Sequence, residues 1–116
     1  TATKRHTFVF DEIDAGVGGR AAVEIGRRLA ALARHHQVIV VTHLAQVAAW
    51  AQTQLVVVKQ VGQASNEATT TAVETVEGPE RVRELARMLS GQSDSQTALR
   101  HAEELLEQAN MAQSKL

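Results

Sequence analysis

The chain has 116 residues, 44% of them hydrophobic, with a formal net charge of -1 and no cysteine. That length allows one domain or part of one, and the charge balance excludes a strongly basic nucleic-acid footprint. Absence of cysteine excludes disulfides and thiolate metal sites and fits a reducing compartment, while Phe8, Phe10 and Trp50, the only aromatics, leave little from which to build a base-stacking platform.

The opening Thr1-Ala2-Thr3-Lys4-Arg5-His6 has no apolar stretch behind its charges and reads as neither a secretory nor an organelle address. No apolar run approaches the roughly 18 residues of a membrane span, so a soluble protein with no membrane partner is expected. A start one turn before a buried strand suggests a piece of something longer. Thr7 to Phe10 is that strand, and it runs into a turn rich in Asp and Gly, Asp14-Ala15-Gly16-Val17-Gly18-Gly19. From Arg20 to Arg34, Ala22, Ile25, Leu29, Leu32 and Ala33 recur at helical spacing, with Arg20, Glu24, Arg27, Arg28 and Arg34 on the other side. Gln37 to Thr42 predicts a second strand, apolar on both faces like a central parallel strand.

A short helix is expected over Leu44–Ala51 and a third strand over Leu55–Val58. Val61 to Asn66 reads as a turn, and Ala68 to Val76, rich in Thr and Val, as an antiparallel return. Pro79 suits the first turn of a helix striped by Val82, Leu85, Ala86 and Leu89, which Ser90-Gly91 ends. Ser93 with Gln96 predicts a capping box for the last helix, whose stripe is Ala98, Leu99, Ala102, Leu105, Leu106 and Ala109. The tail from Met111 to Leu116 has no pattern and is expected to fray. Residues 1–77 thus form an α/β lobe, 78–110 the closing helices of the same domain, and 111–116 a tail.

Alternating strands and helices predict parallel βαβ units, hence an α/β fold with a mostly parallel sheet, flanking helices and a small antiparallel addition. Polar residues at the C-terminal edge of such a sheet mark its ligand site, and that edge carries Asp11, Glu12 and His43. Asp11, directly after a strand, suits a magnesium ion, which prefers oxygen ligands and keeps several waters. Glu12 is placed to take a proton from water attacking a phosphoryl group, and His43 to donate a hydrogen bond to the transferred phosphate. Each has a plainer reading: the acidic pair as a turn cap, the histidine as a solvated loop residue, Asp14 as the cap of the first helix, and the glycines as a tight turn only. The coincidence of acids and histidine on consecutive strands favours the functional reading.

Phe8-Val9-Phe10-Asp11-Glu12 resembles the Walker B strand of ABC-type ATPases, Asp14 with Gly16-Val17-Gly18-Gly19 their D-loop, and Thr42-His43 their switch histidine. Within that superfamily, Asp11 to Gly19, Val41-Thr42-His43-Leu44-Ala45-Gln46-Val47-Ala48-Ala49 and Arg81 to Gly91 are similar to the SMC-like RecN family, so the likeness covers nearly the whole chain. The resemblance implies the C-terminal part of a P-loop NTPase head in a bacterial, cytoplasmic, nucleoid-associated ATPase repairing DNA double-strand breaks. It implies ATP and Mg2+ as cofactors of the complete head, the N-terminal part of the same head as partner, a head-to-head homodimer, and DNA bound by the full assembly. Carried over by position, Asp11 holds the metal, Glu12 activates water, His43 contacts the γ-phosphate, Asp14 communicates across the dimer, and Gln46 is a further nucleotide-side candidate.

No G-x-x-x-x-G-K-[ST] loop occurs in the 116 residues, no signature loop precedes the Walker B strand, and no heptad run is present. Leu89-Ser90-Gly91-Gln92 follows the histidine at a helix C-terminus and reads as a helix stop, since a signature must present a helix N-terminus to phosphate. The chain alone is therefore expected neither to bind ATP tightly nor to hydrolyse it, and its uncovered apolar surface to favour self-association. Two alternatives stand beside this: a DExD-type helicase fragment, from Asp11-Glu12-Ile13-Asp14, and a non-enzymatic α/β partner-binding module using its acids only for metal or turn capping. The arginines of the first helix are expected on a solvated face without DNA contact.

Overall fold

The computed structural model describes residues 4–60 and 70–115. Its elements are β1 (Thr7–Asp11), α1 (Gly19–Leu32), β2 (Gln37–Val41), α2 (Ala45–Ala48), β3 (Gln54–Gln60), β4 (Thr70–Val76), α3 (Gly78–Ser90) and α4 (Gln96–Gln113). β1 and β2 pair in parallel from Thr7 opposite Gln37 to Asp11 opposite Val41. The register is pinned at both ends: Gln37 N–H donates to His6 O at 2.9 Å, and Glu12 N–H donates to Val41 O at 2.8 Å. A one-residue slip would break both bonds.

The expected mostly parallel sheet is not formed among the described residues. The parallel ladder there has two strands, and β3 pairs with β4 in a separate antiparallel ribbon from Gln54 opposite Val76 to Gln60 opposite Thr70. A four-residue apolar run does not reveal its neighbours, and burial shows why the central-strand reading fails. Val9, Ile39 and Val41 are 66%, 46% and 51% exposed while Phe8, Phe10, Val38 and Val40 are half-buried, so one face of each strand lies open. Leu55 and Val57 likewise alternate with Val56 and Val58, the period-two pattern of an antiparallel ribbon. The predicted turn over Val61–Asn66 lies outside the described residues, as do Thr1 to Thr3.

The core is helical and rich in alanine. Ala45, Ala48 and Ala49 meet Leu85 and Ala86 of α3 and Ala98, Ala102 and Leu105 of α4, with Val82, Met88, Leu89, Leu99 and Leu106 packed around them. Small side chains let the helix axes approach closely, so the short α2 is held by its neighbours and not by its own propensity. On α1 the buried positions are Ala22 and Gly26. A Cβ built on Gly26 would lie 2.3 Å from Trp50 Cδ1, so the indole uses space that only glycine leaves free.

Helix ends follow local chemistry. Pro79 sits in the first turn of α3, and Gly91, at φ 77°, closes that helix by donating its N–H to Arg87 O. The start of α4 is one correction: Ser95, not Ser93, is the N-cap, extended at φ -68° and ψ 120°, and its hydroxyl accepts from Ala98 N–H. Capping requires the residue directly before the first helical turn, and Ser93 lies further back, in a turn. The other correction is the tail. Helix α4 continues to Gln113, whose side-chain amide donates to Trp50 O at 3.0 Å and ties this end to the body.

Candidate functional site

β1 and β2 deliver Asp11, Glu12 and His43 to one edge. Asp11 pairs with Val41, and the next residue on each strand turns away. Glu12 does so at φ 52°, a left-handed conformation in which a non-glycine residue costs on the order of 1–3 kcal/mol. Its N–H to Val41 O bond and its carbonyl, accepting from Ala15 N–H at 3.1 Å, hold it there. The result is a Glu12 carboxylate 3.9 Å from His43 Nδ1, both side chains more than half exposed. An exposed acid and an imidazole at this spacing can share an approaching phosphate or water.

Beneath that rim lies Asp14. It is 1% exposed, and the Thr42 hydroxyl donates to its Oδ2. The same hydroxyl accepts from Leu44 N–H at 3.0 Å. Asp14 Oδ1 is buried with no donor among the described residues. The capping role weighed for Asp14 is thus overturned: Gly18, extended at φ -104°, is the N-cap of α1, with no side-chain cap bond. Of the loop glycines, Gly16 alone requires its freedom, at φ 77°.

Gln46 sits half-buried in α2, three positions beyond His43. The arginines of α1 behave as solvated-face residues where they are paired: Glu24 takes Arg27 at 2.6 Å and Arg28 at 3.1 Å. Those hydrogen bonds, Arg27 first and Arg28 second, hold the Glu24 carboxyl at about 2, well below its ordinary 4.5.

Among the described residues no group of three or more His, Asp or Glu side chains converges on a metal position. Asp11 presents a single exposed carboxylate at the strand end. One hard oxygen donor fits magnesium, which is commonly held by one or two carboxylates, with waters and substrate phosphates completing its shell. It does not fit a metal caged by protein alone.

Sequence patterns left four contributors without a role. Thr42 is one, although a hydroxyl directly before a strand-end histidine is a readable signal. Gly26 and Trp50 are two more, because a helical glycine reveals its partner only in space. The fourth is Arg81 of α3, whose guanidinium donates to Gln54 Oε1 at 3.0 Å, Ala51 O at 2.7 Å and Ala48 O at 3.2 Å. Burial lowers its pKa from the ordinary arginine value. It adds a charged donor to the carbonyls at and after the end of α2, of which Ala48 O also accepts from Ala51 N–H, and so fixes the segment that follows His43.

No protein-family model matches the chain. Among curated proteins it is similar to the DNA repair protein RecN of Streptomyces coelicolor, 64% identical over 103 residues, which are 89% of this chain and 18% of that protein. RecN of Mycobacterium leprae is 53% identical over 114 residues, 98% of this chain and 19% of that protein. RecN of Bacillus subtilis is 38% identical over 108 residues, 93% of this chain and 18% of that protein. Among the described residues no helix is long and apolar enough to cross a membrane. The chain spans just under a fifth of the length of these curated relatives, and as a segment of that sequence it belongs to the RecN family of DNA repair proteins.

Proposed function

We propose that this segment supplies the acidic and histidine rim of an ATP-hydrolysing site in an ABC/SMC-type head used in DNA repair. The observation that carries the reading is the Glu12 carboxylate 3.9 Å from the His43 imidazole, one and two residues beyond the paired ends of two parallel strands. It is supported by the left-handed backbone of Glu12, since strain of this kind concentrates where geometry serves function. Neither the helicase nor the partner-module alternative accounts for the RecN matches.

In this reading Asp11 holds a magnesium ion that, when bound, neutralises charge on the transferred phosphoryl group. Glu12 orients the attacking water and accepts its proton, and His43 donates a hydrogen bond to the γ-phosphate oxygens, where positioning and electrostatics do most of the catalytic work. Asp14 and Gln46 act from behind this rim, Asp14 on the loop that faces a second head. The β- and γ-phosphates need a backbone cradle and a lysine, and no such motif occurs in the 116 residues. That cradle is assigned to the N-terminal part of the head, leaving the segment inactive alone. The open β1–β2 face, with Val9, Ile39 and Val41, is where that part docks.

The test exchanges this segment into full-length S. coelicolor RecN in place of its matching stretch. Glu12→Gln should lower phosphate release by about 100-fold or more, the range for a general base, with ATP binding retained, and His43→Ala should also lower it. Unchanged release in both variants would overturn the reading, as would magnesium-dependent turnover by the isolated 116-residue chain that Glu12→Gln abolishes.

A further inference from the structure

We infer that Thr42 is a positioning residue for His43, acting through the hydroxyl of a half-buried side chain that clamps the acidic loop to the end of β2. This rests on the reading of Glu12 and His43 as the hydrolytic rim and adds to it a residue with no assigned role.

Three contacts carry the inference. The Thr42 hydroxyl has one proton, given to Asp14 Oδ2, and it accepts the N–H of Leu44. His43 lies between the two residues so tied, so its backbone is closed into a side-chain turn of the kind Thr forms locally. Asp14 is held in turn by the loop: its carbonyl accepts from Val17 N–H at 3.1 Å, and it follows Glu12 by two residues. One hydroxyl therefore joins the strand end bearing the imidazole to the loop bearing the carboxylate.

The burial of Asp14 makes the clamp costly to break. Its Oδ1 already has no donor among the described residues, so loss of the Thr42 hydroxyl would leave the whole carboxylate without one. A buried acceptor in that state does not stay in place. It would move toward solvent and carry the loop and Glu12 with it. The two rim side chains have no comparable restraint on each other, because the Glu12 carboxylate and the His43 imidazole are both exposed and 3.9 Å apart.

The test uses full-length S. coelicolor RecN with this segment exchanged in, and steady-state ATP hydrolysis. Thr42→Val keeps the shape and removes the hydroxyl, and it should lower kcat about 10-fold to 100-fold, the effect of a displacement on the order of 1 Å, with KM for ATP changed less than about two-fold. Thr42→Ser, which keeps the hydroxyl, should stay within about two-fold of the parent. In a His43→Ala background, Thr42→Val should cause a smaller loss than in the parent, because the part of its effect that acts through His43 has nothing left to position; a merely structural residue would add its full effect. Should the valine variant not fold, Thr42→Cys, a near-isostere with a weak donor, takes its place with the same expected loss. Parent-like kcat in the valine or cysteine variant, or full additivity with His43→Ala, would overturn the inference while leaving the reading of the rim standing. If His43→Ala and Glu12→Gln themselves leave kcat unchanged, it is the reading of the rim that fails.

Discussion

Replacing Gly26 with alanine should destabilise the chain, although the same change on an open helix face would stabilise it. An alanine Cβ at this position would lie 2.3 Å from Trp50 Cδ1 and 2.9 Å from both Cγ and Nε1. Carbon atoms are comfortable at about 3.5–4.0 Å, so the ring or the helix must move by more than about 1 Å. Trp50 is 7% exposed, and its carbonyl is held by Gln113, which leaves the indole little room to yield. Overpacking of this kind costs about 1–3 kcal/mol. With so deep an overlap we take the upper end and subtract the roughly 1 kcal/mol that alanine gains over glycine in a helix. The net loss is about 2 kcal/mol, or roughly 8 °C in Tm for a chain of this size. Trp50 is the only tryptophan, so its fluorescence during urea or thermal unfolding reports on the contact. In a Trp50→Ala background, followed by far-UV circular dichroism since the only tryptophan is gone, the sign should reverse and Gly26→Ala should stabilise by about 1 kcal/mol. A higher Tm for Gly26→Ala in the parent background would refute the packing argument. The contact matters for function because α1 follows the acidic loop and Trp50 follows the segment after His43, so Gly26 and Trp50 hold the two halves of the rim together.

Arg81→Ala should cost about 2–3 kcal/mol by urea denaturation, since it deprives Gln54 and the carbonyls after α2 of a charged donor; Arg81→Lys should recover less than half, because an ammonium lacks the planar fork, and full recovery by lysine would contradict the assigned geometry. Glu24 is lowered to about 2 from 4.5, so its contribution to stability is complete above about 4.5 and is lost as pH falls toward 2. The stability difference between the parent and Glu24→Gln should therefore shrink over that window, and at neutral pH it should also shrink in about 1 M salt, where the screening length is about 3 Å; a difference insensitive to both would refute the ion pair. With Val9, Ile39, Val41, Leu55, Val57 and Val73 exposed on two ribbons, the isolated chain should self-associate with rising concentration in sedimentation, and Ile39→Lys with Val57→Lys should suppress this. A strictly monomeric parent at high concentration would count against it.

Local chemistry was legible in the residues, and long-range partnership was not. The acids after Phe10 and the histidine after Val41 could be placed on one edge because strand runs and one crossover helix determine which ends coincide. Pro79, Gly91 and the stripe of α3 marked that helix at both ends. What was missed depends on atoms distant in sequence. An apolar run such as Leu55 to Val58 does not name its sheet: the antiparallel return is expected and β4 does pair with β3, yet the two form a ribbon separate from the β1–β2 ladder. Gly26 carries no signal within the stripe of α1, because its role is to leave room for Trp50, 24 positions away. Asp14, a short acid before a helix, had a capping reading available, yet the hydroxyl of Thr42, 28 positions away, claims its carboxylate. Met111 to Gln113 carried no periodic signal because a single amide, that of Gln113 to Trp50, fastens the helix end.

In the proposed function Asp11, Glu12 and His43 form one side of a nucleotide pocket completed by the rest of the head. A crystal structure of full-length S. coelicolor RecN carrying this segment with Glu12→Gln, bound to ATP and magnesium, would decide it. Asp11 should lie in the metal's coordination shell, directly or through a water, and the His43 imidazole within hydrogen-bonding distance of the γ-phosphate. Nucleotide bound away from this edge, or His43 turned from the phosphates while Asp11 contacts no ion, would contradict it.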